Sequence, residues 1–197
     1  RHCVRLAALC HDLGHAPFSH AAEFAMPPLR ALGIRCYDAD LVGHRLDVRA
    51  THEDYTIAIL TQSSLADLIR LHFGFKPEHI ARLVSHEVVI DDDFFVHQGF
   101  DLRYLLSQLI SSDLDADRLD YLVRDSYFTG ARYGQTDVNW LVSNMARHVD
   151  QKGRVSLAID RRALYAFDDF MIARFHMFVM VYFHQKSVAY EEMLKLY

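Results

Sequence analysis

The chain has 197 residues, enough for one domain or slightly more, and carries a formal charge of −5 from 21 Lys+Arg against 26 Asp+Glu. At 51% hydrophobic and 24% charged residues it has a globular balance, which excludes a disordered chain. A pI near 6.2 gives no support to a general nucleic-acid coat, though it is compatible with a local basic pocket, and nucleic-acid binding stays open.

Taken in chain order, most of the sequence predicts helix. Val4, Leu6, Ala7, Leu9 and Cys10 form a buried helical stretch that ends around Gly14. Ala16-Pro17 breaks the chain, and 18–32 resumes a helical pattern interrupted at Pro27-Pro28. Residues 35–50 show no period and predict a loop. Thr51 with Asp54 marks a helix start, the helix running to about Gln62. Helices follow at 64–73, 77–86, 102–111 and 115–128, with Pro77 suited to a first turn and Gly130 and Gly134 in the loop after the last. A short helix is expected at 137–144 and a hairpin at 145–159 around Lys152-Gly153. From Arg161 to the end one long amphipathic helix is expected, with room for a bend. The fold class is all-α with one minor β element, and 1–197 reads as a single domain. The longest apolar run, 177–183, is far too short for a membrane span. Cys3, Cys10 and Cys36 lack paired spacing, which fits a reducing cytoplasm. The chain opens without Met in mid-helix, and we expect it to lack a preceding segment.

Two constellations carry chemistry. Residues 10–20 read CHDLGHAPFSH, followed shortly by Glu23, so His11, Asp12, His15, His20 and Glu23 fall within thirteen residues punctuated by Gly and Pro. An isolated His-Asp pair is ordinarily a helix-end ion pair; this density points instead to a mixed imidazole and carboxylate set of the kind that binds Mn, Fe, Zn, Ni or Co. Residues 111–130 are acidic yet keep an apolar face, and Asp117, Asp120, Tyr121 and Arg124 share one helical stripe. His79, His86, His97 and His148 have no motif neighbours and read as surface or capping residues. The Phe-rich stretch of 167–183 reads as core or as an oligomer interface.

The strings HDLGHAPFSH and DADRLDYLVRDSYFTGARYG resemble those of the HD-domain phosphohydrolases, closest to the branch of bacterial HD phosphohydrolases, dGTPases and the SAM/HD-domain dNTP triphosphohydrolase. THEDYTIAIL (51–60) and VYFHQKSV (181–188) extend the likeness over nearly the whole chain. The resemblance implies an HD-domain helical bundle with one divalent transition metal (Mn, Fe, Zn, Ni or Co) held by His11, Asp12, Asp117 and a His from an upstream segment missing here. Mg with the substrate phosphates is a further option. His2, nine residues before His11, falls opposite it on a straight helix at about 100° per residue and is not that ligand.

The resemblance further implies catalytic roles for His15 held by Glu23 and for a phosphate-contacting His52, and pocket roles for His20, for Arg118 on phosphate, and for Tyr121 and Asp125 on the sugar. Arg174 and Tyr182 resemble the pair that contacts phosphate and excludes a 2′-hydroxyl, with His184 beside them; Gln185 departs from the Lys that relatives often carry. A metal lowers the pKa of water and offsets oxyanion charge, while guanidinium groups neutralise a polyphosphate. The implied function is dNTP hydrolysis to deoxynucleoside and triphosphate by an enzyme that assembles as a dimer or higher homo-oligomer. Alternatives are a phosphodiesterase or phosphomonoesterase on another nucleotide, or a nucleotide-binding regulatory module with weak or lost catalysis. No Gly-Tyr-Pro string is present, against the cyclic-dinucleotide branch.

Overall fold

A computed structural model describes residues 1–196, which divide into two compact units, Arg1–Gly99 and a second that begins at Phe100. The first unit is helical: α1 (His2–Cys10), α2 (Ala39–Val42), α3 (His52–Gln62), α4 (Ser64–His72) and α5 (Pro77–Val84), ending in the two-residue strand β1 (Val96–His97). Helix α3 begins where the sequence says, because the Thr51 hydroxyl accepts from Asp54 N–H while Asp54 accepts from Thr51 N–H. Helix α5 packs against both α1 and α3. Ile57 of α3, Ala81 of α5 and Val88 form a buried cluster there, with Ile34, Tyr37 and Val84 around it. Buried beside this core, Asp54 is held by both guanidinium nitrogens of Arg45 (2.8 and 2.9 Å) and by the Tyr37 hydroxyl (2.6 Å), and Arg45 also pairs with Glu87.

The structure departs from the sequence reading in four places. Residues 18–32 are not α-helix but two 3₁₀ segments, Ser19–Ala25 and Leu29–Leu32, since Pro27-Pro28 and the left-handed Phe18 and Ser19 prevent a longer run. The expected loop at 35–50 contains α2 and the 3₁₀ turn Gly43–Arg45, started by the Asp38 carboxylate accepting from Asp40 N–H. His79 is a capping residue as expected, but it is buried rather than at the surface. Its Nδ1 accepts from Lys76 N–H at 3.1 Å and its Nε2–H donates to Asp92 at 2.9 Å.

The second unit starts with the short strand β2 (Phe100–Asp101) and contains α6 (Arg103–Gln108), α7 (Ala116–Thr129), α8 (Val138–Ser143), the hairpin strands β3 (Met145–Val149) and β4 (Val155–Ile159), α9 (Leu164–Met177) and α10 (Gln185–Leu194). The hairpin is antiparallel, pairing Met145 with Ile159 and Val149 with Val155. Its turn is closed by the Asp150 carboxylate, which accepts from Lys152 and Arg154 N–H, and by Gly153 at φ 79°. Leu114, Leu119, Leu122, Leu141, Phe170 and Met177 form the core. The fourth departure is here: the C-terminal stretch is two helices, separated by a π-helical turn at Phe178–Tyr182 and restarted by His184, whose ring accepts from Lys186 N–H. The fold is thus predominantly α-helical with a small hairpin, as the sequence implied. Among the described residues no helix is long and apolar enough to cross a membrane.

Candidate active site

Helix α1 ends at Cys10, and the chain leaves it in a turn pinned to α3. Gly14 N–H donates to the Thr56 hydroxyl (2.9 Å), which donates to the His11 carbonyl (2.7 Å). Glycine is required by this approach: a Cβ at position 14 would lie 1.9 Å from the His52 carbonyl oxygen. Pro17 follows, and Phe18 (φ 70°) and Ser19 (φ 53°) take left-handed conformations that ordinary side chains resist. This strained reversal brings His20 and Glu23, on the 3₁₀ segment, to the side of His15 and the first residue of α3, His52.

The three rings form a compact group. His15 stacks on His52 with centroids 4.0 Å apart and planes 11° from parallel, and His20 meets both edge-on at 4.7 and 4.9 Å. Glu23 Oε1 accepts from His52 Nδ1–H (2.6 Å) and from His20 Nδ1–H (3.0 Å). One ligand atom from each of His15, His20, Glu23 and His52 lies within 4.8 Å of the others. Burial pushes the Glu23 carboxyl up, but the two imidazole hydrogen bonds outweigh it and hold the group below its ordinary value. Burial and the charge of His52 lower His15, only partly opposed by Asp12. The expected pairing of His15 with Glu23 is not a hydrogen bond. His15 instead has Ser19 Oγ at 3.3 Å from its Nδ1 and Asp12 Oδ1 at 3.6 Å from its Nε2. The same Asp12 oxygen lies 3.3 Å from His11 Nε2.

In the second unit, Asp115 caps α7 by accepting from Arg118 N–H (2.7 Å) and Ser112 N–H (2.9 Å), and burial raises its carboxyl. Asp117 sits half-buried in the first turn of the helix. Arg118 is the next residue, and Tyr121 and Asp125 follow one and two turns on. The π turn delivers Tyr182 to this row: its hydroxyl donates to Asp125 at 2.5 Å, and its ring meets Tyr121 edge-on at 6.0 Å. Burial raises the Tyr182 phenol and the Asp125 carboxylate raises it further, so the proton stays on the tyrosine. Arg174 lies with its guanidinium 5.6 Å from the Phe178 ring centre. Asp120 and Arg124 of the predicted stripe only pair with each other at the surface (2.8 Å).

Residues 1–125 match the HD-domain family. The chain belongs to it. A protein of Mycoplasma pneumoniae, the MG461 homologue, is 30% identical over 188 residues, spanning 95% of this chain and 39% of its own length. Human deoxynucleoside triphosphate triphosphohydrolase SAMHD1 is 27% identical over 141 residues, 65% of this chain and 20% of that protein. A solved phosphohydrolase from Bacteroides thetaiotaomicron is similar over 98% of this chain and 37% of its own, with 27% identity and a TM-score of 0.62. This HD domain therefore spans well under half the length of the relatives it matches.

The residues present fit a divalent metal. His11 Nδ1–H donates to the Ala8 carbonyl at 2.9 Å, which orients the ring with Nε2 3.3 Å from the Asp12 carboxylate. That arrangement of imidazole and carboxylate suits a borderline transition ion. Two contributors escaped the sequence reading: Thr56, whose hydroxyl is an ordinary helix residue until the Gly14 contact is seen, and Asp113, which reads as one of several scattered acids.

Proposed function

We propose that this HD domain is a metal-dependent phosphohydrolase acting on a nucleotide, with dNTP hydrolysis to deoxynucleoside and triphosphate as its reaction. The observation that carries the nucleotide is the row in the second unit: Arg118 and Arg174 for phosphate beside Tyr121, Tyr182 and Asp125, a phenol and carboxylate suited to a sugar and its hydroxyl. SAMHD1, a relative over 65% of this chain, is a deoxynucleoside triphosphate triphosphohydrolase, which supports the triphosphate as substrate.

In this reading His11 and Asp12, with Asp117 as the distal carboxylate, hold the cation. When bound, the cation lowers the pKa of water and offsets phosphoryl charge. The group of His15, His20 and His52 around Glu23 supplies acid–base and hydrogen-bond contacts to the scissile phosphate and its leaving oxygen. Glu23 orients His52 and His20 directly, and the stacked pair of rings passes that order on to His15. Arg118 and Arg174 neutralise the polyphosphate. Tyr182, fixed by Asp125, presents a rigid ring edge where a 2′-hydroxyl of a ribonucleotide would stand. The three free cysteines support a reducing cytoplasm, and an exposed apolar face on α9 and the turn after it supports a homo-oligomer.

The test is product analysis. The full-length protein, supplied with Mn²⁺ and each of the four dNTPs, releases deoxynucleoside and intact triphosphate, separated by ion-pair chromatography, and an Asp117→Ala variant does not. Release of monophosphate and pyrophosphate, or of inorganic phosphate, would refute the triphosphohydrolase reaction and leave another phosphoester activity.

A further inference from the structure

The two arginines assigned to phosphate are not bare. Arg118 of α7 and Arg174 of α9 both point at one oxygen: Asp113 Oδ1 lies 3.4 Å from Arg118 Nη1 and 3.7 Å from Arg174 Nη1. The guanidinium side chains are 24% exposed, whereas the Asp113 side chain is 81% exposed. A carboxylate oxygen thus rests from the solvent side on the point where two sunken cations converge, the position a phosphate oxygen takes between two arginines. The other acid on Arg118, Asp115, is buried, is fixed by two backbone N–H groups, and is 3.8 Å from Nε; it stays in place. Asp113 has no such fixing. Among the described residues its carboxylate is held by these guanidiniums alone, and it borders a cavity of about 630 Å³ whose lining also carries Arg161. The side chain has both space to move into and a second cation beside that space.

We propose that Asp113 is an internal substitute for the substrate's phosphate: it occupies the Arg118 and Arg174 pair in the unliganded protein and is displaced when a polyphosphate binds. The inference rests on the reading of those two arginines as the phosphate contact. Its consequence is selectivity by charge. An anion gains at this position only what it offers beyond one carboxylate. A triphosphate, which presents several charged phosphoryl groups to both guanidiniums, displaces Asp113, and a singly charged anion does not. Removing the carboxylate therefore strengthens binding, opposite to the effect expected of an ordinary pocket residue, and strengthens weak anions most.

Inorganic triphosphate and inorganic phosphate, titrated calorimetrically into the full-length protein at low ionic strength, test this. Asp113→Asn tightens triphosphate by about three- to tenfold, the range expected for partly exposed ion pairs, and phosphate by at least as much. Asp113→Glu, which keeps the charge, stays near wild type. In an Arg118→Gln/Arg174→Gln background, both anions bind more weakly and Asp113→Asn no longer has an effect. If the arginine variants weaken triphosphate but Asp113→Asn leaves it unchanged or weaker, the substitute is refuted and the phosphate contact stands. If the arginine variants bind triphosphate as wild type does, the phosphate contact itself falls, and this inference with it.

Discussion

Glu23 holds the imidazole group together, since one of its oxygens accepts from both His52 and His20. Glu23→Gln keeps the size but places an amide where two N–H donors converge. We expect kcat to fall by about 10²- to 10⁴-fold, the range of a lost acid–base group, with bound metal unchanged by elemental analysis. Asp117→Ala should remove both activity and metal, so the pair of variants separates proton handling from ligation. Tyr182→Phe deletes the 2.5 Å bond to Asp125 and should narrow the preference for deoxy- over ribonucleotide, read as the ratio of kcat/KM values. These residues were singled out by the four motif strings and, for Glu23, by its place just after the first of them. Their partners were not: that Glu23 serves His52 and His20 rather than His15 follows from a 3₁₀ turn entered through two left-handed residues, and no spacing in the sequence encodes it.

Helix ends account for much of what could be read at the level of elements. Thr51 and Asp54 make a reciprocal cap, and Thr51→Ala should cost about 1 kcal/mol by denaturant melts. Asp54 does more than cap. It is 1% exposed, and although burial raises its carboxyl, the hydrogen bonds from Arg45, Thr51 and Tyr37 bring it below its ordinary 3.8. A depressed carboxyl stabilises the fold fully above that ordinary value and loses the contribution as pH falls through the folded-state value. Thermal melts should therefore fall steeply below about pH 4. Arg45→Met, which leaves a buried carboxylate without its cation, should cost about 3–5 kcal/mol near neutral pH and lose less in acid. Asp92, drawn down to about 2 by Lys76 and then by His79, extends the same acid loss to lower pH. The caps and the hairpin were legible because they depend on neighbours in sequence. The break of the C-terminal helix was not, because it is made by a π turn that brings Tyr182 to Asp125, a partner 57 positions away.

Over the whole molecule, charge and apolar surface pull in different directions. The net charge of −5 repels a polyphosphate, so the attraction must come from a few cations near the site, and KM for a triphosphate substrate should rise with salt while kcat changes little. Of the Phe residues in the 167–183 stretch expected as core or interface, Phe170 is buried, whereas Phe175 (64%) and Phe183 (66%) are exposed with Val179 and Met180 near them in sequence. Such a face fits the homo-oligomer proposed above, which predicts that Phe175→Glu/Phe183→Glu lowers the sedimentation coefficient of the full-length protein while leaving the far-UV spectrum unchanged.

The contact at Gly14 also sets how this domain is able to vary. Thr56 must donate to the His11 carbonyl and accept from Gly14 N–H at the same time, and only a hydroxyl on a short side chain does both. Valine has the same shape and satisfies neither group. In a saturation-mutagenesis screen for activity, position 56 should tolerate serine alone and position 14 nothing but glycine, although neither side chain touches a phosphate. The freedom of the His11-Asp12 dipeptide to drift is thus limited by a helix more than forty residues downstream.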